Sequence, residues 1–228
     1  MVLRALLIAV VAGLVAGLAV SLLHAYKLTP LIHAAETYET AAAAPHDHAA
    51  GTPAAHDHAA AAWSPADGLE RIGFGWLTNM LAGIGFALLL VAGFVLSGRI
   101  VNARNGLIWG LAGFAAFVLA PALQMPPELP GAAAIDVTIR QAAWFGIAVA
   151  TIAGIALIAF SGRTWLKAAG VALIVAVQVF SLPHGEGIGL APPEMAAEFA
   201  ILSVAAGALF WAVLGTVAGF LYGRATAA

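Results

Sequence analysis

The chain has 228 residues, 63% of them hydrophobic and 9% charged, with a formal net charge of −2 at pH 7. A soluble domain carries about 25% charged residues, so the composition excludes an ordinary soluble globule and marks an integral membrane protein. There is no cysteine, which excludes disulfides, thiolate metal sites and cysteine nucleophiles. There is also no basic patch for nucleic acid.

Uncharged runs lie between Arg4 and Lys27, Arg71 and Arg99, Arg104 and Glu128, Arg140 and Arg163, Lys167 and Glu186, and Glu198 and Arg224. Each supplies the roughly 17–25 apolar residues of a spanning helix. The predicted fold is therefore an all-α integral membrane protein of six transmembrane helices, one domain over residues 1–228. The first run follows MVLR, but its apolar core is longer than the roughly 7–15 residues of a signal peptide, so it is expected to stay as a span. The fifth run is the shortest, and Pro183 closes it.

Charge orients these spans. Arg4, Arg99, Arg104, Arg163, Lys167 and Arg224 fall in the N-terminus and in the segments 97–105, 161–167 and 223–228, which hold no acid. All 11 Asp and Glu fall in the alternate segments, about 24–73, 124–141 and 183–198, beside only Lys27, Arg71 and Arg140. Lys and Arg are retained on the cytoplasmic side. Both termini are thus expected to be cytoplasmic, with the acid-, His- and Pro-rich segments outside.

The second, fourth and sixth spans end alike, in VAGFVLSGR (91–99), IALIAFSGR (155–163) and TVAGFLYGR (216–224). LAPALQMPPELPG (119–131) also echoes LAPPEM (190–195). This pattern predicts three repeated helical hairpins, spans 1–2, 3–4 and 5–6, an arrangement in keeping with the internal repeats of transporters. The other reading is chance similarity in a small apolar alphabet. Gly13/Gly17, Gly106/Gly110 and Gly215/Gly219/Gly223 are spaced by four, which puts small residues on one helix face for close packing within the bundle or in a homo-oligomer.

The first outer loop, 29–70, carries the chemistry. Within it, residues 41–62 read AAAAPHDHAAGTPAAHDHAAAA, a flexible His-rich segment in which His46-Asp47-His48 recurs as His56-Asp57-His58. In extended backbone, residues two apart point the same way, so two imidazoles and a carboxylate can meet one cation. Imidazole suits Co, Ni, Cu and Zn, and His-rich tracts are a compositional sign of metal binding. The alternative is an alanine-rich linker with incidental histidines. A second ligand group, His24, Glu36 and His184, is expected at the mouth, with His33, Glu39 and Glu186 nearby. For His24 the alternative is an interfacial histidine hydrogen-bonded to a carbonyl.

No Asp, Glu, Lys or Arg lies inside an apolar run, whereas proton-driven pumps usually carry an intramembrane ionisable group. Asn79 and Gln178 are path candidates, or else hydrogen-bond across helices. No P-loop motif is present, and no catalysis is expected.

The elements LTPLIHAAETYE (28–39), WGLAGFAAFVLAPALQMPPELPG (109–131) with RQAAW (140–144), LPHGEG (182–187) and FWAVLGTVAGFLYGR (210–224) resemble the predicted cobalt transporter subunit family of the CbtA type. The resemblance covers nearly all of the chain outside the His-rich loop. It implies a multi-pass protein of the bacterial inner membrane and cobalt uptake linked to cobalamin supply. It also implies a small single-span partner of the CbtB type with a His-containing metal site. The family is often described with five spans, against six counted here. The expected function is capture and uptake of a divalent metal as substrate, with Co2+ first and Ni2+ or Zn2+ as alternatives and no permanently bound cofactor. The alternative is a membrane-anchored metal buffer or sensor that does not transport.

Overall fold

The computed structural model describes residues 2–42, 63, 65–133, 135–179 and 189–227. Among the described residues all regular structure is helical. Helix α1 (Val2–Leu23) runs through a π-helical turn (His24–Leu28) into α2 (Thr29–Ala42), and α3 covers Leu69–Ser97. Helix α4 (Ala103–Phe114) runs through a second π-helical turn (Ala115–Leu119) into the short α5 (Ala120–Gln124). Then come α6 (Val137–Phe160), α7 (Thr164–Val179) and α8 (Pro193–Ala227).

Five continuous helices are long and apolar enough to cross a membrane: Val2–Ala41, Leu69–Ser97, Ala103–Gln124, Val137–Phe160 and Pro193–Ala227. Helix α7 is apolar but has 16 residues, which is about 24 Å of rise against a hydrocarbon thickness of about 30 Å. Five helices therefore meet the requirement where six were expected, and residues 180–188, which follow α7, lie outside the described residues. The first helix differs from expectation in another way. Its 40 residues give about 60 Å of rise, twice the hydrocarbon thickness. The polar half after Lys27 thus stands beyond the hydrocarbon as helix, where a loop from residue 29 was expected.

Both π-turns have the same local cause. Pro30 and Pro121 each lie two residues past a π-turn. Proline lacks an N–H and its ring crowds the carbonyl four residues earlier. Widening the turn relieves that crowding without ending the helix. Pro121 leaves Phe117 O without its usual amide donor, and the Trp144 indole N–H donates to it at 3.3 Å. Helix limits elsewhere follow ordinary signals. Asn102 Oδ1 accepts from the Asn105 amide at 3.0 Å, and Asp136 Oδ1 accepts from the Thr138 amide at 2.9 Å, so each caps a helix start. Gly98, at φ 60°, ends α3 in the left-handed region.

The packing joins α1 to α3, α1 to α8, α4 to α8 and α6 to α7. Only the first of these joins two consecutive spans of an expected hairpin. The third span also meets the fourth, through the second π-turn and α5 against α6, while α4 packs further on α8 and α6 on α7. Glycine determines the closest seams. A Cβ on Gly17 would lie 2.6 Å from Met80 Cα, one on Gly106 2.7 Å from Gly219 Cα, and one on Gly215 2.8 Å from Gly110 Cα. The glycines spaced by four thus bring backbones into direct contact inside the chain.

The charge segregation is also a property of the fold. Arg4 donates to Ala225 O at 3.5 Å and Arg99 to Ala159 O at 3.2 Å. These contacts gather the start of α1 and the ends of α3, α6 and α8 at one end of the bundle. Arg71 pairs with Glu36, and Arg140 with Glu128, at the other. There α2, the Pro-rich segment and the residues before α8 converge. Leu190 N–H donates to Gly131 O at 3.1 Å, and Leu129 is buried with Leu28 and Ala35.

Candidate functional site

The acidic end opens into a cavity of about 620 Å³ between α1, α2, α3 and α8. Both π-turns border it, through His24 and Leu28 on one side and Val118 on the other. Most of its wall is apolar, including Leu28, Ile32, Trp76, Phe199 and Phe210. In such a setting a few polar groups decide what binds.

The polar groups form two levels. At the rim, Arg71 on α3 holds Glu36 on α2 with both guanidinium nitrogens, and its Nη1 also reaches Asp67 Oδ1 at 3.2 Å. His33 Nδ1 lies 3.2 Å from Glu36 Oε2. Hydrogen bonding from Arg71, opposed in part by desolvation, holds the Glu36 carboxyl below its ordinary pKa. Arg71 is the charged side chain that lines the cavity, and Glu36 and Asp67 neutralise it.

Deeper in the cavity, Asn79 reaches from α3 to α1. Its amide nitrogen donates to Ser21 Oγ at 3.1 Å and lies 3.3 Å from His24 Nδ1. Ser21 in turn donates to Gly17 O at 2.8 Å and is fully buried. Ser203 lines the same cavity from α8, and its buried hydroxyl has no hydrogen-bond partner among the described residues. Next to this level α1 and α3 meet backbone to backbone at Gly17 and Met80.

The expected mouth residues do not gather around one ion. His24 and Glu36 lie on one continuous helix, twelve positions apart, which is about 18 Å of rise. Metal–ligand bonds are only about 2 Å long, so these two side chains cannot share a cation. Each does belong to the cavity system, His24 at depth and Glu36 at the rim. His184, Glu186, His46, Asp47, His48, His56, Asp57 and His58 lie outside the described residues. Among the described residues no cluster of three His, Asp or Glu side chains could hold a metal. Both path candidates hydrogen-bond across helices. Asn79 does so as above, and the Gln178 side-chain amide donates to Ala120 O at 3.2 Å while the Gln178 main-chain carbonyl accepts from the Gln124 side chain at 2.7 Å. Ser203 is a site residue that sequence reasoning did not single out as special. A lone serine in an apolar helix gives no pattern to find it by.

Residues 2–223 match the family described as probable cobalt transporter subunit (CbtA). The chain belongs to that family. As a CbtA-family chain with several apolar helices it is a multi-pass membrane protein, and transport of cobalt as a subunit is the role its family carries. No curated protein and no solved structure matches it.

Proposed function

We propose that this CbtA-family chain is the membrane subunit of a bacterial inner-membrane uptake system for Co2+, and that it takes the ion from the extracytoplasmic side through the cavity at its acidic end. The observation that carries this reading is the two-level polar lining within an otherwise apolar wall. The Arg71–Glu36–Asp67 ion-pair cluster stands at the rim, above an imidazole–amide–hydroxyl cluster of His24, Asn79 and Ser21. The imidazole and hydroxyl would offer a divalent cation weak, exchangeable donors, as conduction requires. Ni2+ and Zn2+ fit the same donors less selectively than a geometric cage would exclude them.

In this reading the topology has six spans and both termini cytoplasmic. The double His-Asp-His segment, residues 41–62, is a tethered collector that raises the local metal concentration at the rim. The partner is a small single-span subunit of the CbtB type.

Uptake of radiolabelled cobalt in a cobalt-starved host tests the proposal. Expression with the partner should raise intracellular cobalt. Changing His46, His48, His56 and His58 together to Ala should lower uptake when metal is scarce and spare it when metal is abundant. His24→Ala should lower uptake at every concentration. Metal binding with no change in intracellular cobalt would instead make the chain a buffer or sensor.

A further inference from the structure

A second space lies toward the basic end of the bundle, apart from the cavity described above. It is a crevice of about 410 Å³ between α3, α4 and α6. These three helices pack mainly on others, α3 on α1, α4 on α8 and α6 on α7, and the crevice is the seam left where they face one another. Leu89, Ile108 and Ile152 line it and are also exposed, so it opens sideways to the surrounding lipid.

Its length matches one leaflet. The lining runs from Leu89 to Arg99 along the end of α3, from Ile108 to Phe117 along α4 and its π-turn, and from Ile152 to Phe160 along α6. At about 1.5 Å per residue each stretch rises about 12–15 Å, half of a hydrocarbon thickness of about 30 Å. Aromatic rings close the deep end. Phe117 stacks on Trp211 with ring centroids 5.5 Å apart, and its centroid lies 5.9 Å from that of Trp144. A spanning helix of another chain needs a groove along the whole crossing. Apolar wall over the depth of one leaflet suits a lipid acyl chain.

The other end carries a cation. Arg99 lines the crevice there and is exposed. Its Nη2 donates to Ala159 O at 3.2 Å, and its guanidinium carbon lies 4.5 Å from the Phe160 ring centroid. These two contacts hold the guanidinium at the mouth. No carboxylate pairs with it among the described residues, and most of its N–H donors stay open to a ligand. The planar fork of a guanidinium matches phosphate. The charge around it has one sign. Arg4, Arg104, Arg163, Lys167 and Arg224 fall in the segments of this end, which hold no acid. A zwitterionic headgroup would bring an ammonium into that field, and an anionic one would not. Basic pockets between spanning helices are places where anionic headgroups bind.

We propose that this crevice is a binding site for one anionic phospholipid, with an acyl chain between α3, α4 and α6 and its phosphate held by Arg99. The lipid fills a seam that the chain leaves open, and the site is independent of the ion's route at the acidic end.

The test uses the full-length chain in detergent micelles, titrated with phosphatidylglycerol or with phosphatidylcholine of the same acyl chains. Native mass spectrometry counts the lipids retained, and thermal unfolding reports stabilisation. Phosphatidylglycerol should bind about 10-fold or more tightly than phosphatidylcholine and raise the melting temperature, because a ligand of the folded state stabilises it. Arg99→Gln should remove this preference, a loss of about 10-fold or more, the factor that one charge-assisted hydrogen bond supplies. Arg99→Lys keeps the charge without the fork and should fall between the two. Arg224→Gln removes the same charge from the same end but outside the crevice, and should bind like the parent. Ala112→Leu puts a larger side chain into the lining and should weaken both lipids alike. Should that variant fail to fold, the exposed Arg99 still decides the matter. Equal losses in Arg99→Gln and Arg224→Gln would mean a diffuse attraction to the basic end and overturn the site. Glycerol phosphate competing as well as the whole lipid would also overturn it, since the acyl chain would then count for nothing. If neither lipid is retained and Ala112→Leu instead breaks a dimer, the crevice is a contact between copies of the chain and the proposal fails.

Discussion

Gly17→Ala perturbs the site through the backbone contact beneath it. A Cβ at this position would lie 2.6 Å from Met80 Cα and 2.8 Å from Asn79 O, whereas ordinary contact begins at 3.4 Å. The obstruction is backbone, so α3 must move away from α1 by about 0.8 Å or more. Asn79 moves with it. Its hydrogen bonds to Ser21 and His24, now 3.1 and 3.3 Å, would stretch by about the same amount, past the distance at which such bonds count. Overpacking of this kind costs about 1–3 kcal/mol. The two cross-helix hydrogen bonds add about 0.6 kcal/mol each on the membrane scale. The better helix propensity of Ala returns about 0.5–1 kcal/mol. The expected net loss is about 2 kcal/mol, measured as unfolding in mixed micelles by tryptophan fluorescence, with cobalt uptake reduced alongside. Gly75→Ala is the reference, because Gly75 lines the same cavity and a Cβ there would meet nothing within 4 Å. If Gly17→Ala is as stable as Gly75→Ala and takes up cobalt normally, the seam does not hold Asn79 in place.

The open space at Gly75 gives a second expectation. Gly75→Leu should fold at least as well as the parent, since Leu is the better helix former by about 0.5–1 kcal/mol, yet it should obstruct the cavity and cut uptake; unchanged uptake in a folded protein would move the route elsewhere. The rim pair gives a third. The Glu36 carboxyl is held below its ordinary pKa by Arg71, so the stabilisation is complete above the unfolded value of about 4.3 and is lost as pH falls through the folded value. Both side chains are about a third exposed, which limits the pair to about 1 kcal/mol or less. Glu36→Gln should therefore melt slightly lower than the parent at pH 7 and lose less on acidification. Parallel melting curves from pH 7 to pH 3 would remove Glu36 from the rim's energetics.

Much of the architecture could be read from charge and length. Arg4, Arg99 and Arg224 collect at one end because arginine and acid alternate along the chain with the period of a membrane crossing. The glycines spaced by four mark real seams. Which seam meets which was not legible, because an apolar helix buries small residues on several faces and its pattern names no partner. Gly106 and Gly110 therefore found Gly215 and Gly219, over a hundred positions away, where the repeat pattern favoured a neighbour. The π-turns were hidden for a different reason. A proline inside an apolar run usually reads as a helix end, and at Pro30 and Pro121 the widened turn let the helix continue. That continuation is what carried Glu36 out of reach of His24. The site itself joins residues 55 positions apart, His24 and Asn79, each unremarkable alone.

The placing of proline and glycine divides the bundle into two halves with different mechanics. Around the cavity, Pro30 and Pro121 follow π-turns on facing walls, and such turns are where helices bend. Below it, Gly17 on α1 and the Gly106–Gly219 pairing between α4 and α8 put backbone against backbone, which leaves no side chains to rearrange and no space to cross. The outer half can flex to admit an ion without disturbing this lower half. On the proposed route, an ion that reaches Ser21 would meet the contact of α1 with α3. Release at the other end requires those two helices to part. Their seam is held by close contact of small residues and by the Asn79 hydrogen bonds to Ser21 and His24, so separation costs contact area and those two bonds. A partner helix that offers α1 or α3 an equivalent small-residue surface would recover that area.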